Sequence, residues 1–401
     1  MSSIPLDVVE EIITALYTMN SSIPDYPTIR ACSLVCHEFL PICQKYLFSS
    51  IHLDSGRTSW IRHQQATPKQ LQSLLSTSPA LGSYIRDLTY HTTSGAQDFP
   101  DPTIFHTFYN ITRLLSLSIH VSVLDSENMD LWNTRIRPVF LPLLQLPTLT
   151  SLGLGGIYDF SFADISAYVS LKTITIGNVS FSHHISPTVH LRPHKLVFNR
   201  PITHGQLKYL IEAKCADGKH LLNCSDLSTL SVGFMPKDVP DIRQLLEMSH
   251  HLVELYFRMD IRTDFSAFNL QNIPAIQQTR TLKQLNFKLI ILRPPFANSM
   301  DTFVSELEKL AHRNAIESIV ISTLISSRVD CTSEGHWKRL DDVLGHSGWS
   351  SLRSVSLKFG IDQGNEELVK AFTKVAQTQF PLLSSSNSVK FKIGIGSLCE
   401  W

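Results

Sequence analysis

Leu252-Val-Glu-Leu-Tyr-Phe257 and Leu282-Lys-Gln-Leu-Asn-Phe287 are one pattern written twice. An apolar residue is followed by two open positions, a second apolar residue, one open position and a third apolar residue. The last three positions alternate with period two, which is a strand with one buried face. The same template reads in Ile85-Arg-Asp-Leu-Thr-Tyr90, Leu114-Leu-Ser-Leu-Ser-Ile119, Leu149-Thr-Ser-Leu-Gly-Leu154 and Leu171-Lys-Thr-Ile-Thr-Ile176. It returns in Leu227-Ser-Thr-Leu-Ser-Val232, Ile316-Glu-Ser-Ile-Val-Ile321 and Leu352-Arg-Ser-Val-Ser-Leu357, with a weaker copy around Leu196 to Phe198 and a last strand at Val389 to Ile395.

With 43% apolar residues, chance alone supplies this template roughly 30 times in such a chain, so spacing has to decide. The steps between starts include 29, 22, 25, 30 and 34 residues. Most gaps hold room for one helix, for example Asp238 to Met248, Thr302 to Ala311 and Glu366 to Ala376. Strand, turn, helix, turn at about 20–29 residues resembles the leucine-rich repeat, and several gaps here are longer. The expected fold class is therefore α/β: an irregular leucine-rich-repeat-like solenoid over residues 85–401, parallel strands inside and helices outside. The open positions of the template are expected on a concave face, and Lys172, Thr175, Glu254, Tyr256, Lys283, Asn286 and Arg353 are the candidate target-binding residues.

The chain has 401 residues, 17% of them charged, with Lys+Arg and Asp+Glu equal at 35 each. A zero formal charge offers no excess of Lys and Arg for nucleic acid, so no nucleic-acid partner is expected. The seven Cys form no C-x-x-C, which removes the usual zinc and redox signatures. Cys32 and Cys36, four apart, are read as small buried core residues of one helix rather than as a metal pair. Unpaired thiols fit a reducing compartment. Glu10 and Glu11 stand where a secretory signal needs basic and then apolar residues. No apolar run approaches the ~18 residues of a membrane span. The expected localisation is cytoplasmic or nuclear, with no membrane partner.

Residues 4–17 read Ile-Pro-Leu-Asp-Val-Val-Glu-Glu-Ile-Ile-Thr-Ala-Leu-Tyr. Leu6, Val9, Ile12, Ile13 and Leu16 recur at helical steps and predict one amphipathic helix. Asn20 to Pro27 reads as a loop. Ile29, Cys32, Val35, Cys36, Phe39 and Leu40 fall on one face of a second expected helix. Pro41 suits the first turn of a third, which runs through Cys43, Tyr46 and Leu47 into a strand-like Phe48 to Leu53.

This order of segments, with Ala31-Cys-Ser-Leu-Val-Cys-His-Glu-Phe-Leu-Pro41 and Tyr46-Leu-Phe-Ser-Ser-Ile51, resembles an F-box, closest to the F-box family common in fungi. It departs from that family in Ile4-Pro5 for the usual Leu-Pro and in Phe39 for the usual Trp, both keeping apolar bulk. The resemblance implies a small all-α F-box module over residues 1–53 that docks on the Skp adaptor of cullin–RING ubiquitin ligases, with residues 54–84 as a connector that includes an Arg57/Trp60/Arg62 cluster. Carried over by resemblance, the docking residues are Ile4, Pro5, Leu6, Val9, Ile12, Val35, Cys36 and Phe39.

No catalytic constellation is found, and neither a metal nor a cofactor is expected. There is no G-x-x-x-x-G-K-[ST]. Gly153-Leu-Gly-Gly156 lacks the downstream glycine of a dinucleotide turn, and in Gly345-His-Ser-Gly348 the second glycine comes one position early for a nucleophile elbow. His183-His184 and His250-His251 are adjacent pairs whose side chains point apart. The expected function is a non-enzymatic, substrate-recruiting adaptor of an SCF-type (Skp–cullin–F-box) ubiquitin ligase with an unknown target protein. The alternative is a stand-alone interaction scaffold with a drifted module.

Overall fold

The computed structural model describes residues 5–18, 25–54, 66–93, 106, 108–122, 132–165, 169–182, 190–201, 206–233, 238–260, 281–291, 296–311, 315–325, 334–346, 348–361 and 365–397. Ile4, the Arg57/Trp60/Arg62 cluster and His183-His184 lie outside them. The chain divides into two units. One holds Met1–Ile174 with Val179–His190 and Lys214–Lys219, and the other Thr175–Asn178, Leu191–Ala213 and His220–Trp401.

The first unit opens with three helices: α1 (Leu6–Thr18), α2 (Tyr26–Ser33) and α3 (Phe39–Leu47). None is long enough to be stable alone, so packing must hold them. Val9 and Ile13 of α1, Ile29 of α2 and Cys43 of α3 form the shared core, with Leu16, Phe39, Ile42 and Tyr46 partly buried against it. Glu10 of α1 pairs with Lys45 of α3, and the Thr14 and Tyr46 hydroxyls lie 2.6 Å apart.

Two expectations are corrected here. The second helix does not run to Leu40; it ends at Ser33, and a turn through Val35 and Cys36 leads to α3. The polar loop stops at Asp25, which caps α2 by accepting from the Thr28 N–H at 3.2 Å, and Pro27 sits in the first turn, where it gives up no helical hydrogen bond.

Strand β1 (Ser50–Asp54) follows α3 directly and pairs in parallel with β2 (Asp87–Thr93). Between them α4 (Pro68–Thr77) starts with a capping box of Thr67 and Gln70. Then come β3 (Ser116–Ser122), α5 (Arg137–Leu144), β4 (Ser151–Gly155) and β5 (Thr173–Gly177). β2 pairs with β3 and β3 with β4, all parallel. The β4–β5 connection departs from the expected pattern: among its described residues it carries a short 3₁₀ turn, Phe162–Asp164, and no α-helix.

The second unit runs β6 (Lys195–Pro201), α6 (Gln206–Glu212), β7 (Thr229–Gly233), α7 (Val239–Glu247), β8 (Glu254–Asp260) and β9 (Gln284–Ile291). It continues with α8 (Phe296–Leu310), β10 (Ser318–Ile325), α9 (Glu334–Gly345), β11 (Ser354–Ile361), α10 (Glu366–Thr378), α11 (Pro381–Ser385) and β12 (Lys390–Ser397). Strands β6 to β12 pair in chain order and in parallel. Chain-order parallel strands joined by helices are an α/β repeat arrangement, each strand covering the next.

Register explains the pattern of the sequence. Leu230, Leu255, Leu285, Ile319 and Val355 are successive partners, as are Val232, Phe257, Phe287, Ile321 and Leu357, and all ten side chains are buried. Each such burial contributes ~1.5–3 kcal/mol. A slip of one residue would turn both rows outward, so the pairing has one stable register. The same backbone device fixes the starts of β8, β9 and β10. The Ser228 carbonyl accepts the N–H groups of Val253 and Glu254, that of Val253 accepts Lys283 and Gln284, and that of Lys283 accepts Glu317 and Ser318, all at 2.8–3.0 Å.

Candidate functional site

Because the core rows of the second unit point inward, the alternate residues form an open face. Three rows cross it. The first is Glu254, Gln284, Ser318 and Ser354; the second is Tyr256, Asn286, Val320 and Ser356; the third is Arg258, Lys288, Ser322 and Lys358. The third row and, from the second, Tyr256, Asn286 and Val320 line a groove of about 320 Å³, with Asn199 at one side. Three cations, Arg258, Lys288 and Lys358, line it, and no carboxylate does among the described residues.

Arg258 is oriented by its own unit: its Nη1 donates to the Asn199 carbonyl at 2.6 Å. Beneath the groove the rings of Phe257 and Phe287 stack at 5.7 Å. Burial pushes the Lys288 ammonium below the usual lysine range, and the neighbouring Arg258 charge pushes the same way. Asn286 is only 8% exposed; its Oδ1 accepts from Gln284 Nε2 at 3.1 Å and its Nδ2 has no hydrogen-bond partner. The acid on this face, Glu254, accepts from the Tyr256 hydroxyl at 3.2 Å. Burial, and next the Glu254 charge, raise the Tyr256 phenol above its ordinary range.

Six of the seven candidate residues separate into two sets. Glu254, Tyr256 and Asn286 lie on the open face, the last two in the groove. Lys172, Lys283 and Arg353 occupy the position just before a strand, where each backbone N–H donates to a carbonyl that also accepts from the next residue, and they lie off the face. Lys283 there pairs with Glu317 at 2.7 Å, which holds the Glu317 carboxyl below its ordinary range. Thr175 sits half-buried on β5. Arg258, Lys288 and Lys358 were missed because the six-residue template stops one position before them. The alternation that continues in Phe257-Arg-Met259, Phe287-Lys-Leu289 and Leu357-Lys-Phe359 is the signal that finds them.

In the helical segment of the first unit, Pro5, Leu6, Ile12, Val35 and Cys36 are exposed. Leu6 and Ile12 are each 50% exposed and Val35 67%. Val9 belongs to the helices' own core and is no surface residue, and Phe39 is half-buried against that core. Val8 and Leu34, not among the expected docking residues, are exposed as well. Val8 and Ile12 stand one turn apart on the same flank of α1. Of the ten large apolar side chains exposed among the described residues, five lie in residues 6–35, which concentrates uncovered apolar surface in this short segment.

No protein-family model matches this chain, and no curated protein matches it. The reading therefore rests on the residues themselves. Among the described residues no helix is long and apolar enough to cross a membrane.

One further cluster brings ligand-type atoms together. His190, Cys215 and Asp217 hold theirs within 4.8 Å of one another. Asp217 accepts the Lys219 backbone N–H at 3.1 Å and pairs with the Lys219 ammonium at 3.2 Å and with His190 at 3.1 Å. The Lys219 N–H, first, holds this carboxyl below its usual range, and burial pushes the Cys215 thiol up. Asp217 is thus paired with both an ammonium and a histidine ring nitrogen.

Proposed function

We propose that this protein is a substrate-recruiting adaptor of an SCF-type ubiquitin ligase, acting in the cytoplasm or nucleus. Its N-terminal helices are read as an F-box that docks on the Skp adaptor, and its strand-and-helix repeats as a degenerate leucine-rich-repeat region that holds a target. The observation that carries the reading is the split within the first helices. Val9, Ile13 and Ile29 build a core, and Leu6, Val8, Ile12, Leu34 and Val35 remain uncovered. A three-helix segment that buries one stripe and exposes a second is suited to a partner that supplies the missing cover. The chain would do no chemistry of its own. It would hold a target lysine near a ubiquitin-loaded enzyme and raise the effective concentration of the pair.

The test is co-expression of the full chain with the Skp adaptor, beside Ile12→Asp. A buried unpaired charge at such an interface costs several kcal/mol, so the variant should lose the partner. Circular dichroism should show Ile12→Asp folded, since Ile12 is half-exposed, whereas Val9→Asp should unfold the helices. A folded wild-type chain that fails to bind would remove the ligase role and leave the stand-alone scaffold.

A further inference from the structure

We propose that His190, Cys215 and Asp217 of the first unit form a binding site for one divalent ion of the zinc class, with water as its fourth ligand. The proposal stands apart from the adaptor reading, and its test leaves that reading untouched.

Two short stretches build the site. Cys215 and Asp217 share one tight turn. The Gly218 N–H donates to the Cys215 carbonyl at 2.9 Å, and the Cys215 N–H donates to the Lys219 carbonyl at 2.7 Å. Gly218 takes the positive φ of 82° that closes the turn, a conformation open to glycine at no steric cost. These bonds fix the thiol and the carboxylate relative to each other. His190 comes from 27 residues earlier than Asp217 and sets its Nε2 3.1 Å from Asp217 Oδ2. The ligand atoms of all three lie within 4.8 Å of one another.

These spacings suit a tetrahedral ion. Zinc holds nitrogen at ~2.0–2.1 Å, carboxylate oxygen at ~2.0–2.2 Å and sulfur at ~2.3 Å. At a tetrahedral angle the nitrogen–oxygen edge is then about 3.4 Å and the nitrogen–sulfur edge about 3.6 Å. The His190–Asp217 spacing needs a shift of a few tenths of an ångström, and the sulfur a shift of no more than about 1.2 Å.

The two carboxylate oxygens have separate roles. Oδ1 accepts the Lys219 backbone N–H at 3.1 Å, which orients the group, and Oδ2 faces His190. Metal-binding carboxylates are commonly held by such a bond. The present contacts of the three groups do not bar an ion. It enters between His190 and Asp217, with the imidazole proton on Nδ1. It displaces the Lys219 ammonium, now 3.2 Å from Asp217 and 77% exposed, into solvent. The Cys215 thiol gives its proton to solvent, because a bound cation stabilises the thiolate.

The donor set names the class of ion. Imidazole nitrogen and thiolate sulfur suit zinc and its borderline neighbours, whereas magnesium and calcium take oxygen shells. Cys215 is 5% exposed, and the His190 and Asp217 side chains are 32% and 42% exposed. The ion is thus anchored on its inner side and reaches water on its outer side, the three-ligand arrangement with an open fourth position. Spacing along the sequence hid the site, since no C-x-x-C or paired histidine motif marks it.

The test uses the full chain, stripped of metal by a chelator and kept reduced, and titrated with Co²⁺ as a spectroscopic stand-in and then with Zn²⁺. One equivalent of Co²⁺ should bring up a thiolate-to-cobalt charge-transfer band in the near ultraviolet together with the intense visible bands of a tetrahedral site, and Zn²⁺ should remove both. Cys215→Ser should abolish the charge-transfer band. His190→Ala and Asp217→Asn should each weaken Zn²⁺ binding about tenfold or more, measured by competition with a chromophoric chelator. Lys219→Met should tighten it, because a competing cation is gone, and Cys36→Ser, outside the site, should leave it unchanged. A folded wild-type chain without the charge-transfer band overturns the proposal. So does a band that persists in folded Cys215→Ser, which assigns the ion to another thiol. Unchanged Zn²⁺ affinity in both His190→Ala and Asp217→Asn overturns it as well, and these partly exposed positions keep the test decisive should Cys215→Ser fail to fold.

Discussion

Arg258 on β8 and Lys288 on β9 are register partners, two cations side by side on one face of the sheet. Burial and then the Arg258 charge depress the folded Lys288 ammonium below the usual lysine value of 10.5. In the window between the depressed folded value and 10.5 the unfolded chain binds more protons, so stability rises with pH there. Below that window the unfavourable contribution is full; above it, none remains. Lys288→Met should therefore stabilise the protein at neutral pH and lose that advantage as pH climbs past the ordinary lysine value. The ammonium is partly exposed and solvent screens it, so the gain is about 0.5 kcal/mol, read as a rise of 1–2 °C or so in Tm. A variant less stable than the wild type at pH 7 would show that Lys288 contributes more by contact than it costs by charge.

Arg137 and Asp164 make a second test, in the first unit. The guanidinium donates twice to one carboxylate, Nε to Oδ2 at 2.8 Å and Nη2 to Oδ1 at 2.7 Å, and Asp164 is 4% exposed. Arg137→Met keeps the apolar stem and leaves a buried carboxylate without its cation, which should cost ~3 kcal/mol. Arg137→Met with Asp164→Leu should recover most of that loss, because the stranded charge goes too. Thermal melts of the single and double variants check it; equal losses would mean that packing, not charge, is what Arg137 supplies.

Asp341 on α9 acts on a different helix. Its two oxygens accept the N–H groups of Leu382 and Leu383 at the start of α11, both at 2.9 Å, and its side chain is buried. Asp341→Ala removes an acceptor from both groups and should cost ~2–3 kcal/mol. Burial outweighs the two N–H groups and raises the carboxyl above its ordinary value. The folded chain then binds the extra proton first, so between the ordinary and the raised value stability rises as pH falls. The stability gap between wild type and Asp341→Asn should widen on mild acidification, opposite to a salt-bridged carboxylate. Urea titrations at pH 7 and in the mildly acidic range would show it.

How much of this was legible is clearest at Leu255, Phe257, Leu285 and Phe287. Their period-two alternation marks strands, and burial follows because parallel strands expose one face. The first two open positions of the template were not equivalent. Only the second lies on the strand, so Gln284 faces the groove side and Lys283 belongs to the preceding turn. A six-letter template stops at Phe257 and Phe287, whereas β8 and β9 run on to Asp260 and Ile291, and Arg258 and Lys288 fell in that extension. The break after Ser33 was hidden because Cys32, Val35 and Cys36 keep helical spacing through the turn that separates α2 from α3. Asp25 and Pro27 carry an N-cap signature that a reading for breakers takes as loop.

The cysteines give the most direct check on burial. Cys36 is exposed in the turn between α2 and α3, although helical spacing placed it in a core. Cys43, Cys215 and Cys224 are buried. Burial raises all three thiols, Cys224 up to about 11 even though a Ser249 hydrogen bond pulls it the other way. Only the thiolate alkylates, so buried thiols with raised values are doubly protected. Brief iodoacetamide treatment of the native chain at pH 8, read by peptide mass spectrometry, should modify Cys36 well ahead of these three. Unfolding in urea should make them comparable. Addition of the Skp adaptor should slow Cys36 alone if this turn is part of the docking surface. Rapid native labelling of Cys224 would contradict the packing around β7. An unchanged Cys36 rate in a stable complex would move the interface onto α1, around Leu6 and Ile12.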